Sequence, residues 1–265
     1  MTTTATAPDL LSAIVAAART AVAYRASQRP MATFGQHKRT PDGEAFAAAL
    51  ARSPAPRIIA ECKRRSPSRG ILREHYEPAS HGAAYAAAGA AAISVLTEPT
   101  FFDGAAEHLE AVRQAVSIPV LRKDFIVTDY QVHEAAALGA DAVLLIVAAL
   151  SDGELPRLQA LAQSIGLAAL VEVHDDEELK RAIDAGACII GVNSRNLRTL
   201  QVDASVPERL AEQLPREVIA VAESGIRSRA DIDRLSALRY DAFLVGERLI
   251  TQPDPAAALR SLRSA

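Results

Sequence analysis

From about residue 57 onward, the chain alternates short apolar runs with longer stretches of mixed apolar and polar residues. Several runs are continuously apolar, which is typical of parallel strands buried on both faces. The stretches between them have the spacing of amphipathic helices, so we predict repeated βα units. The eight predicted strands are RIIAEC from Arg57, AAISVL from Ala91, IPVLRK from Ile118, DAVLLI from Asp141, LAALVE from Leu167, CIIGVN from Cys188, VIAVAE from Val218 and DAFLVG from Asp241.

The predicted helices carry end signals. Thr128 with Gln131, and Ser151 with Glu154, have the spacing of an N-cap hydroxyl and a returning side chain three residues later. Glycines stand where a left-handed residue is needed between a helix and the next strand, at Gly89, Gly139, Gly166 and Gly186. Three of these belong to a recurring Gly-Ala pair, which indicates internal repetition of the βα unit.

Eight strands, each followed by a helix, favour an α/β fold of the closed (β/α)8 TIM-barrel type, which usually takes about 250 residues. An open doubly wound sheet is the alternative, but no GxGxxG follows the first strand. We therefore predict one barrel domain over residues 1–265, with 1–56 as an N-terminal helical extension and 57–265 as the barrel. Apolar residues at helical spacing predict that the extension packs on the barrel, although the pattern leaves its position open: Leu10, Leu11, Ile14, Val15 and Ala18.

Composition narrows the class of protein. The chain is 49% hydrophobic with a formal net charge of −3, so it has no global basic field to attract nucleic acid or an anionic membrane. Its start mixes threonine, aspartate and arginine into an apolar stretch, unlike a signal peptide or a membrane span. Cys62 and Cys188 each lie in an apolar run, which predicts small buried side chains in a reduced compartment rather than a disulfide. We expect a soluble cytoplasmic protein.

Polar residues follow the apolar parts of five predicted strands. Side chains two apart in a strand point to the same side, and a barrel builds its active site at the carboxyl ends of its strands. Each polar residue alone fits a solvated strand end. Inward-facing polar residues at the ends of five strands, taken together, predict a shared pocket. These residues are Glu61, Lys63, Lys123, Glu172, Asn193, Arg195 and Glu223.

Lysine is rare in this chain. Lys38, Lys63, Lys123 and Lys180 are the only lysines among the 29 basic residues, and the first and last fit a loop and a helix surface. A lysine in a dry pocket can have a lowered pKa and give up its proton, which arginine does not do, so Lys63 and Lys123 are candidate acids. One nearby glutamate would serve as a base while another stays ionised, and spacing alone does not assign these roles.

Glycine-bearing turns end the seventh and eighth strands, in ESGI (223–226) and VGER (245–248). In barrel enzymes these two loops often bind phosphate through backbone N–H groups, and glycine permits the close approach. Gly225 and Gly246 are the expected pair, and the Ser224 hydroxyl and the Arg248 cation lie beside them. The pattern predicts a phosphorylated small-molecule substrate.

Nine segments occur in a characteristic order: IIAECKRRSPSRGIL, ISVLTEPTFFDG, PVLRKDFIV, DAVLLIVAAL, LVEVHD, GVNSRNL, TLQVD, AESGI and FLVGERLI. Over essentially the whole chain they resemble the indole-3-glycerol phosphate synthases of tryptophan biosynthesis, and ECKRRSPSRG, RKDF and NSRNL are the most specific. The resemblance implies a barrel with an N-terminal helical segment, no metal and no organic cofactor. It also implies cyclisation of 1-(2-carboxyphenylamino)-1-deoxyribulose 5-phosphate with loss of carbon dioxide and water.

The resemblance assigns roles to particular positions. Lys123 matches the general acid that activates the ketone, and Glu172 matches the general base. Positions that match substrate-binding or assisting residues are Lys63, Glu61, Ser66, Asn193, Arg195, Glu223 and Ser224. We further expect Phe102 and Phe125, with Phe101, to wall the anthranilate ring, and Ser224, Gly225, Gly246 and Glu247 to hold the phosphate.

Two other functions remain open at this point. One is a different phosphate-binding barrel, such as an isomerase of a related aminodeoxyribulose phosphate, which would use aspartate or cysteine as acid and base. Cys62 is out of phase with Glu61 and Lys63, which disfavours it. The other is an inactive barrel that acts as a binding module. We expect a monomer, with other enzymes of the tryptophan pathway as possible partners.

Overall fold

The structure is a computed structural model that describes residues 9–34 and 39–264. The strands are β1 (Arg57–Cys62), β2 (Arg65–Ser66), β3 (Gly70–Ile71), β4 (Ala92–Leu96), β5 (Val120–Lys123), β6 (Ala142–Ile146), β7 (Ala168–Val173), β8 (Ile189–Asn193), β9 (Ile219–Glu223) and β10 (Ala242–Val245). Eight of them are parallel and form a closed barrel in the order β1-β10-β9-β8-β7-β6-β5-β4, and β4 pairs with β1 to complete it. β2 and β3 form a separate two-stranded hairpin after β1.

The helices of the described residues surround this barrel. They are α1 (Leu10–Gln28), α2 (Gly43–Arg52), α3 (Pro78–Ala87), α4 (Pro99–Phe102), α5 (Ala106–Ala115), α6 (Asp129–Ala137), α7 (Glu154–Ser164), α8 (Asp176–Asp184), α9 (Ser205–Ala211), α10 (Arg229–Ala237), α11 (Glu247–Ile250) and α12 (Pro255–Arg263). The fold is the predicted (β/α)8 TIM barrel, which rules out the open sheet. Each predicted strand is present, and its ends differ from the prediction by at most two residues.

The strand register explains how the barrel is filled. Ile59, Leu121 and Leu170 are completely buried two residues before Glu61, Lys123 and Glu172 in their strands. Strand periodicity therefore places an apolar layer directly beneath the polar one, as predicted. This layer separates the charged end of the barrel from its opposite end.

Glycine ends four of the helix-to-strand turns as predicted. Gly89, Gly139, Gly166 and Gly186 have φ angles of +91°, +90°, +86° and +74°, in the left-handed region that glycine adopts without strain. Each follows a helix whose last carbonyl groups are satisfied by the turn. These positions confirm the boundaries drawn from the sequence pattern.

The N-cap predictions are only partly correct. The Thr128 hydroxyl is within hydrogen-bond distance of Gln131 N, at 3.4 Å, and of Gln131 Oε1, at 3.3 Å, but Oε1 accepts from the backbone N–H of Val127 rather than from that of the cap residue. The second prediction is wrong in position, because α7 begins at Glu154 after Gly153 and Ser151 lies outside the helix. Glu154 does reach back to the Ser151 N–H, at 2.9 Å, so the spacing reports a turn before the helix rather than its cap.

The N-terminal helices cover opposite ends of the barrel. α1 lies at the carboxyl end, where Ile14 faces the central cavity and Arg19 donates to the Val127 carbonyl. α2 lies at the amino end, where Phe46 and Leu50 are completely buried. The sequence pattern left the position of the extension open, and the structure places one helix at each end.

Asp141 anchors α2 at the amino end. Its carboxylate is completely buried and accepts hydrogen bonds from Arg113 Nη1 at 2.9 Å, Val120 N at 3.0 Å and Asp42 N at 3.1 Å. Arg39 forms a further ion pair with it. A buried charge with this many donors is stable only while all of them are in place, so the side chain ties the extension to β5 and β6.

The two cysteines differ from each other. Cys62 is buried, and its Sγ points out of the barrel toward the Pro78 carbonyl of α3, 3.9 Å away. Cys188 is exposed, so its predicted burial is wrong. It precedes the first strand residue, Ile189, and lies in the turn where the chain enters the barrel from outside.

Two of the four lysines were expected at the surface. Lys180 is 76% exposed in its side chain and pairs with Asp184 one helical turn away, as expected for a helix surface. Lys38 lies outside the described residues.

Within residues 9–34 and 39–264, no helix combines the length and apolar character needed to cross a membrane.

Candidate active site

A cavity of about 470 Å³ opens at the carboxyl ends of the barrel strands. Of the site residues predicted from the sequence, all except Phe101 line it. These residues are Glu61, Lys63, Ser66, Phe102, Lys123, Phe125, Glu172, Asn193, Arg195, Glu223, Ser224, Gly225, Gly246 and Glu247. Residues two apart in a strand point to the same side, and in the closed barrel that side is the cavity. The alternative, in which each polar residue is a separate solvated strand end, is therefore wrong.

Lys123 lies at the centre of the polar layer. Its Nζ is 2.6 Å from Oε2 of Glu172 and 3.2 Å from Oε2 of Glu223, and its side chain is only 13% exposed. The two carboxylates are almost completely buried. One ammonium thus bridges two carboxylates that come from strands β7 and β9.

Charge pairing sets the protonation states of these groups. Burial acts to lower the pKa of Lys123, but the carboxylates of Glu172, Glu223 and Glu61 outweigh it and raise that pKa above its usual value. The lowered lysine pKa considered from the sequence is therefore wrong for Lys123. The side chain is held as an ammonium, which is the state that an acid needs before it donates.

The two glutamates beside Lys123 have opposite shifts. Burial acts to raise the pKa of Glu172, but Lys123 and His174 outweigh it, and the result lies well below the usual range. Burial raises the pKa of Glu223 to about 8, helped by the nearby Glu172 charge, although Lys123 opposes it. Only one of two neighbouring buried carboxylates can ionise easily, so Glu172 carries the charge and Glu223 tends to keep a proton.

Glu61 and Lys63 form a second ion pair at the end of β1 and just beyond it. The side chain of Lys63 is 15% exposed and that of Glu61 is 4% exposed. A Cβ on Gly246 would lie 3.0 Å from the Cβ of Glu61, so only glycine leaves room for this carboxylate. The glycine after β10 therefore serves the polar layer as well as the turn.

Gly191 was not singled out in the sequence. A Cβ at this position would lie 3.2 Å from Cδ of Glu223 and 3.3 Å from Leu170 Cδ1. Gly191 pairs with Glu172 in the β7–β8 register and with Val221 in the β8–β9 register. Its missing side chain creates the space for Glu223, and only the register across strands reveals this.

The turns after β9 and β10 form one end of the cavity. Ser224 and Gly225 have φ angles of +63° and +73°, in the left-handed region, and both residues line the cavity. Among the described residues, none accepts a hydrogen bond from the N–H groups of Ser224, Gly225, Gly246 or Glu247. Free N–H groups at this end can bind an anion.

Arginines surround the same end. Nη1 of Arg248 is buried without a hydrogen-bond partner in the described chain, although its Nε donates to the Arg227 carbonyl at 3.0 Å. The Glu247 carboxylate lies 2.6 Å from Arg69 and 3.7 Å from Arg195. The carboxylate is thus engaged with cations, and only the backbone of Glu247 remains to contact an anion.

Aromatic residues line the opposite wall. The rings of Phe102 and Phe125 are 6.3 Å apart and tilted by 37°. Phe102 ends the single turn of α4, whose N–H groups at Thr100, Phe101 and Phe102 all donate to the Glu98 carboxylate. Phe101 packs against the core and does not line the cavity, so its predicted role in the ring wall is wrong.

His174 is closer to the chemistry than the sequence suggested. It follows the last residue of β7, on the same face as Glu172 but one step further out, and that position is typical of a loop or rim histidine. Its side chain is only 10% exposed, with Nε2 3.3 Å from Glu172 Oε1 and Nδ1 2.9 Å from Glu178 Oε2. Two features of the sequence could have indicated this position. His174 is two residues after Glu172, on the same side of the strand, and four residues before Glu178.

These groups can bind a phosphate, enclose an apolar ring and transfer protons between them. Within residues 9–34 and 39–264, no cluster of three or more His, Cys, Asp or Glu side chains is placed to hold a metal ion. Cys62 points away from the cavity, so the cysteine acid or base of the alternative isomerase is not available.

Solved structures similar to this chain share its fold. A protein described as KGPDC from Streptococcus mutans has a TM-score of 0.61 at 12% identity, covering 78% of this chain and 95% of its own. The N-acetylmannosamine-6-phosphate 2-epimerase from Clostridium perfringens has a TM-score of 0.58 at 15% identity, covering 74% and 88%. At these identities the likeness supports the barrel architecture and nothing about the reaction.

Sequence relatives are much closer. An indole-3-glycerol phosphate synthase from Rhodococcus opacus is 53% identical over 83% of this chain and 81% of its own length. Those from Saccharopolyspora erythraea and Burkholderia vietnamiensis are 48% and 44% identical, and each alignment covers at least 95% of both chains. The family model for indole-3-glycerol phosphate synthase matches residues 11–262. Agreement over the barrel, its N-terminal helix and the charged cavity means that this chain belongs to the indole-3-glycerol phosphate synthase family.

Proposed function

We propose that Lys123 is the general acid and Glu172 the general base in the reaction of this family. The family consists of carbon–carbon lyases of tryptophan biosynthesis that act on a phosphorylated small molecule. The observation that carries the proposal is the 2.6 Å contact between the buried Lys123 ammonium and the ionised Glu172. An acid and a base in direct contact can exchange partners when a substrate enters between them.

The first step is ring closure. A carbon of the anthranilate ring attacks the ketone of 1-(2-carboxyphenylamino)-1-deoxyribulose 5-phosphate, and negative charge develops on the ketone oxygen. The Lys123 ammonium stabilises that charge and donates its proton to the oxygen, which becomes a hydroxyl. The new carbon–carbon bond forms at the ring carbon that bears the carboxylate, and loss of carbon dioxide returns the bonding electrons to the ring system.

The second step is loss of the new hydroxyl as water. It needs an acid at the leaving oxygen and a base that removes a proton from the ring nitrogen or carbon. We assign the role of base to Glu172, which is ionised. The acid that protonates the leaving hydroxyl is one of the two lysines that line the cavity, Lys63 or Lys123. Glu61, Asn193 and Glu223 complete the polar layer, in which Glu61 pairs with Lys63 and Glu223 with Lys123.

The two ends of the cavity match the two ends of this substrate. We assign the phosphate to the free N–H groups of Ser224, Gly225, Gly246 and Glu247, with Arg248 adding a cation. Ser66 and Arg195 also line the cavity and are assigned to substrate binding. Phe102 and Phe125 then face the anthranilate ring, and the ketone lies between, beside Lys123.

We propose further that the chain is one barrel domain, with residues 1–56 as an extension and 57–265 as the barrel. α1 supports this because Ile14 contributes to the cavity wall, so the extension and the barrel share one site. We also propose that the protein is a cytoplasmic monomer that binds neither nucleic acid nor membrane, with other enzymes of the tryptophan pathway as its candidate partners. Size-exclusion chromatography with light scattering tests the monomer, because a stable dimer would contradict it.

Single-turnover kinetics tests the chemical roles. The carboxyphenylamino substrate is mixed with excess enzyme and the indole product is followed by fluorescence, against a chain that contains no tryptophan. We expect Lys123→Ala to lower the single-turnover rate by roughly 10²-fold or more, as for loss of a general acid. Lys180→Ala is the matched control, since it removes an exposed lysine. A Lys123→Ala rate close to wild type would remove Lys123 from the mechanism.

A further inference from the structure

We propose that His174 is a positioning residue, whose ring, held by Glu178, fixes the Glu172 carboxylate against Lys123 and keeps it ionised. The inference rests on the proposed role of Glu172 as the base. Oε2 of Glu172 accepts a hydrogen bond from the lysine ammonium at 2.6 Å, and Oε1 lies 3.3 Å from the ring Nε2 as an ion-pair contact that lacks the angle of a hydrogen bond. Rotation of the Glu172 carboxylate or of the His174 ring would break the contact between them.

The ring itself is held from the other side. Glu178, in the first turn of α8, accepts hydrogen bonds from the backbone N–H of His174 and from the ring Nδ1, both at 2.9 Å. The hydrogen bond from the backbone N–H fixes the position of the His174 main chain, and the contact with Nδ1 fixes the orientation of the imidazole ring. His174 thus connects the rigid start of a helix to a carboxylate in the cavity.

The surroundings select the charged form of the ring. Each ring nitrogen lies within 3.3 Å of a carboxylate oxygen, so the nearby negative charges favour the imidazolium, which carries a proton on both nitrogens. Burial acts to lower the pKa of His174, but Glu172 and Glu178 outweigh it and raise that pKa to about 10. The ring is therefore a cation at neutral pH, and a cation 3.3 Å from Glu172 opposes its protonation.

Other charges near this pair act on it less directly. Lys123 and Glu223 face Glu172 from β5 and β9. A second cavity of about 290 Å³ borders His174 on its far side, and its charged lining residues are Asp175, Glu178, Arg198, Asp203 and Arg209. Asn193 and Leu197 line both cavities, whereas His174 lines the second.

This arrangement has a use in catalysis. When Lys123 moves to the ketone oxygen, Glu172 loses one of its two cations and would swing freely or take up a proton early. The His174 cation remains in contact and holds the carboxylate in place and ionised until the ring proton is removed. A residue that orients another in this way affects the rate more than substrate binding.

The pH profile of kcat/KM tests the inference. Replacing the imidazolium with a neutral amide in His174→Gln raises the pKa of Glu172, so the acid limb is expected to move upward by about one pH unit. We also expect kcat to fall roughly 10-fold with little change in KM. His81→Gln is the matched control, because His81 lies on α3 and does not line the cavity, and its ring contacts the Glu77 carbonyl and Tyr76.

The outcomes separate the two proposals. An acid limb in His174→Gln that overlays the wild type, while Glu172→Gln is inactive, overturns the positioning role alone. An active Glu172→Gln overturns the proposed base and the inference with it. Should His174→Gln not fold, ¹⁵N NMR of the wild-type imidazole at pH 8 decides. Two protonated ring nitrogens support the inference, and a neutral ring overturns it.

Discussion

Gly191 lies directly against the Glu223 carboxylate, and no larger residue leaves that carboxylate where it is. The constraint is one of volume, since a Cβ would lie 3.2 Å from Glu223 Cδ and closer still to Oε1. Glu223 in turn contacts the ammonium of Lys123 at 3.2 Å. An apparently featureless glycine in the middle of β8 therefore helps to set the position of the proposed acid.

We expect Gly191→Ala to lower kcat by roughly 10-fold or more, because displacement of Glu223 also displaces Lys123. Steady-state kinetics with the carboxyphenylamino substrate measures it. Gly153→Ala is the matched control, since a Cβ there meets nothing within 4 Å and its φ of −86° suits alanine. Wild-type kcat in Gly191→Ala would mean that the Glu223 position does not matter.

Glu223 also predicts a pH dependence of stability. Its pKa is raised from 4.5 to about 8 in the folded state, so the folded protein holds a proton there that the unfolded chain has lost. The stability that this adds is complete below pH 4.5 and is lost as the pH rises through 8. Glu223→Gln has no such loss, so we expect its Tm, relative to wild type, to be higher at pH 9 than at pH 5.

The pH trend, rather than the absolute Tm, is the test, because the variant also removes one partner of Lys123 at every pH. Glu110→Gln, an exposed position on α5, is the control and should parallel the wild type. A Tm difference between Glu223→Gln and wild type that stays constant from pH 5 to pH 9 would contradict a raised pKa.

Asp141 predicts a stability effect far from the cavity. Asp141→Asn removes a buried charge that Arg113, Arg39 and two backbone N–H groups satisfy. We expect the free energy of unfolding to fall by about 2–4 kcal/mol, measured by urea denaturation. Arg39 is partly exposed, so most of the loss comes from the other three donors. Asp184→Asn, which breaks a solvated pair, should give no measurable change, and an equal loss there would refute the anchor.

Arg248 predicts an effect on substrate affinity. Its buried Nη1 has no partner among the described residues and lies beside the proposed phosphate position. We expect Arg248→Ala to raise KM by about 2- to 5-fold with kcat unchanged, since a partly solvated cation contributes modestly. Inhibition by inorganic phosphate should weaken in parallel. Arg260→Ala is the control, and an unchanged KM for Arg248→Ala would show that the residue does not help.

Part of the site was predictable because strand geometry is local. Glu61 and Lys63, and likewise Asn193 and Arg195, are two residues apart, and that spacing already puts them on one side of a strand. His174 was not among the predicted site residues because it lies beyond the strand end, and its contacts to Glu172 and Glu178 depend on where α8 begins. Cys188 was misjudged because an apolar run does not reveal which residue first enters the barrel.

By itself, the sequence determined the number and phase of the strands, the glycine turns and the set of polar residues at the strand ends. All of these follow from periods of two and 3.6 residues, which neighbouring residues in the chain set by themselves. Only the tertiary structure decided that Lys123 is held as a cation, that Glu172 is ionised while Glu223 tends to keep its proton, and that Gly191 must be small. Those properties depend on distances between different strands, and such distances exist only once the barrel has closed.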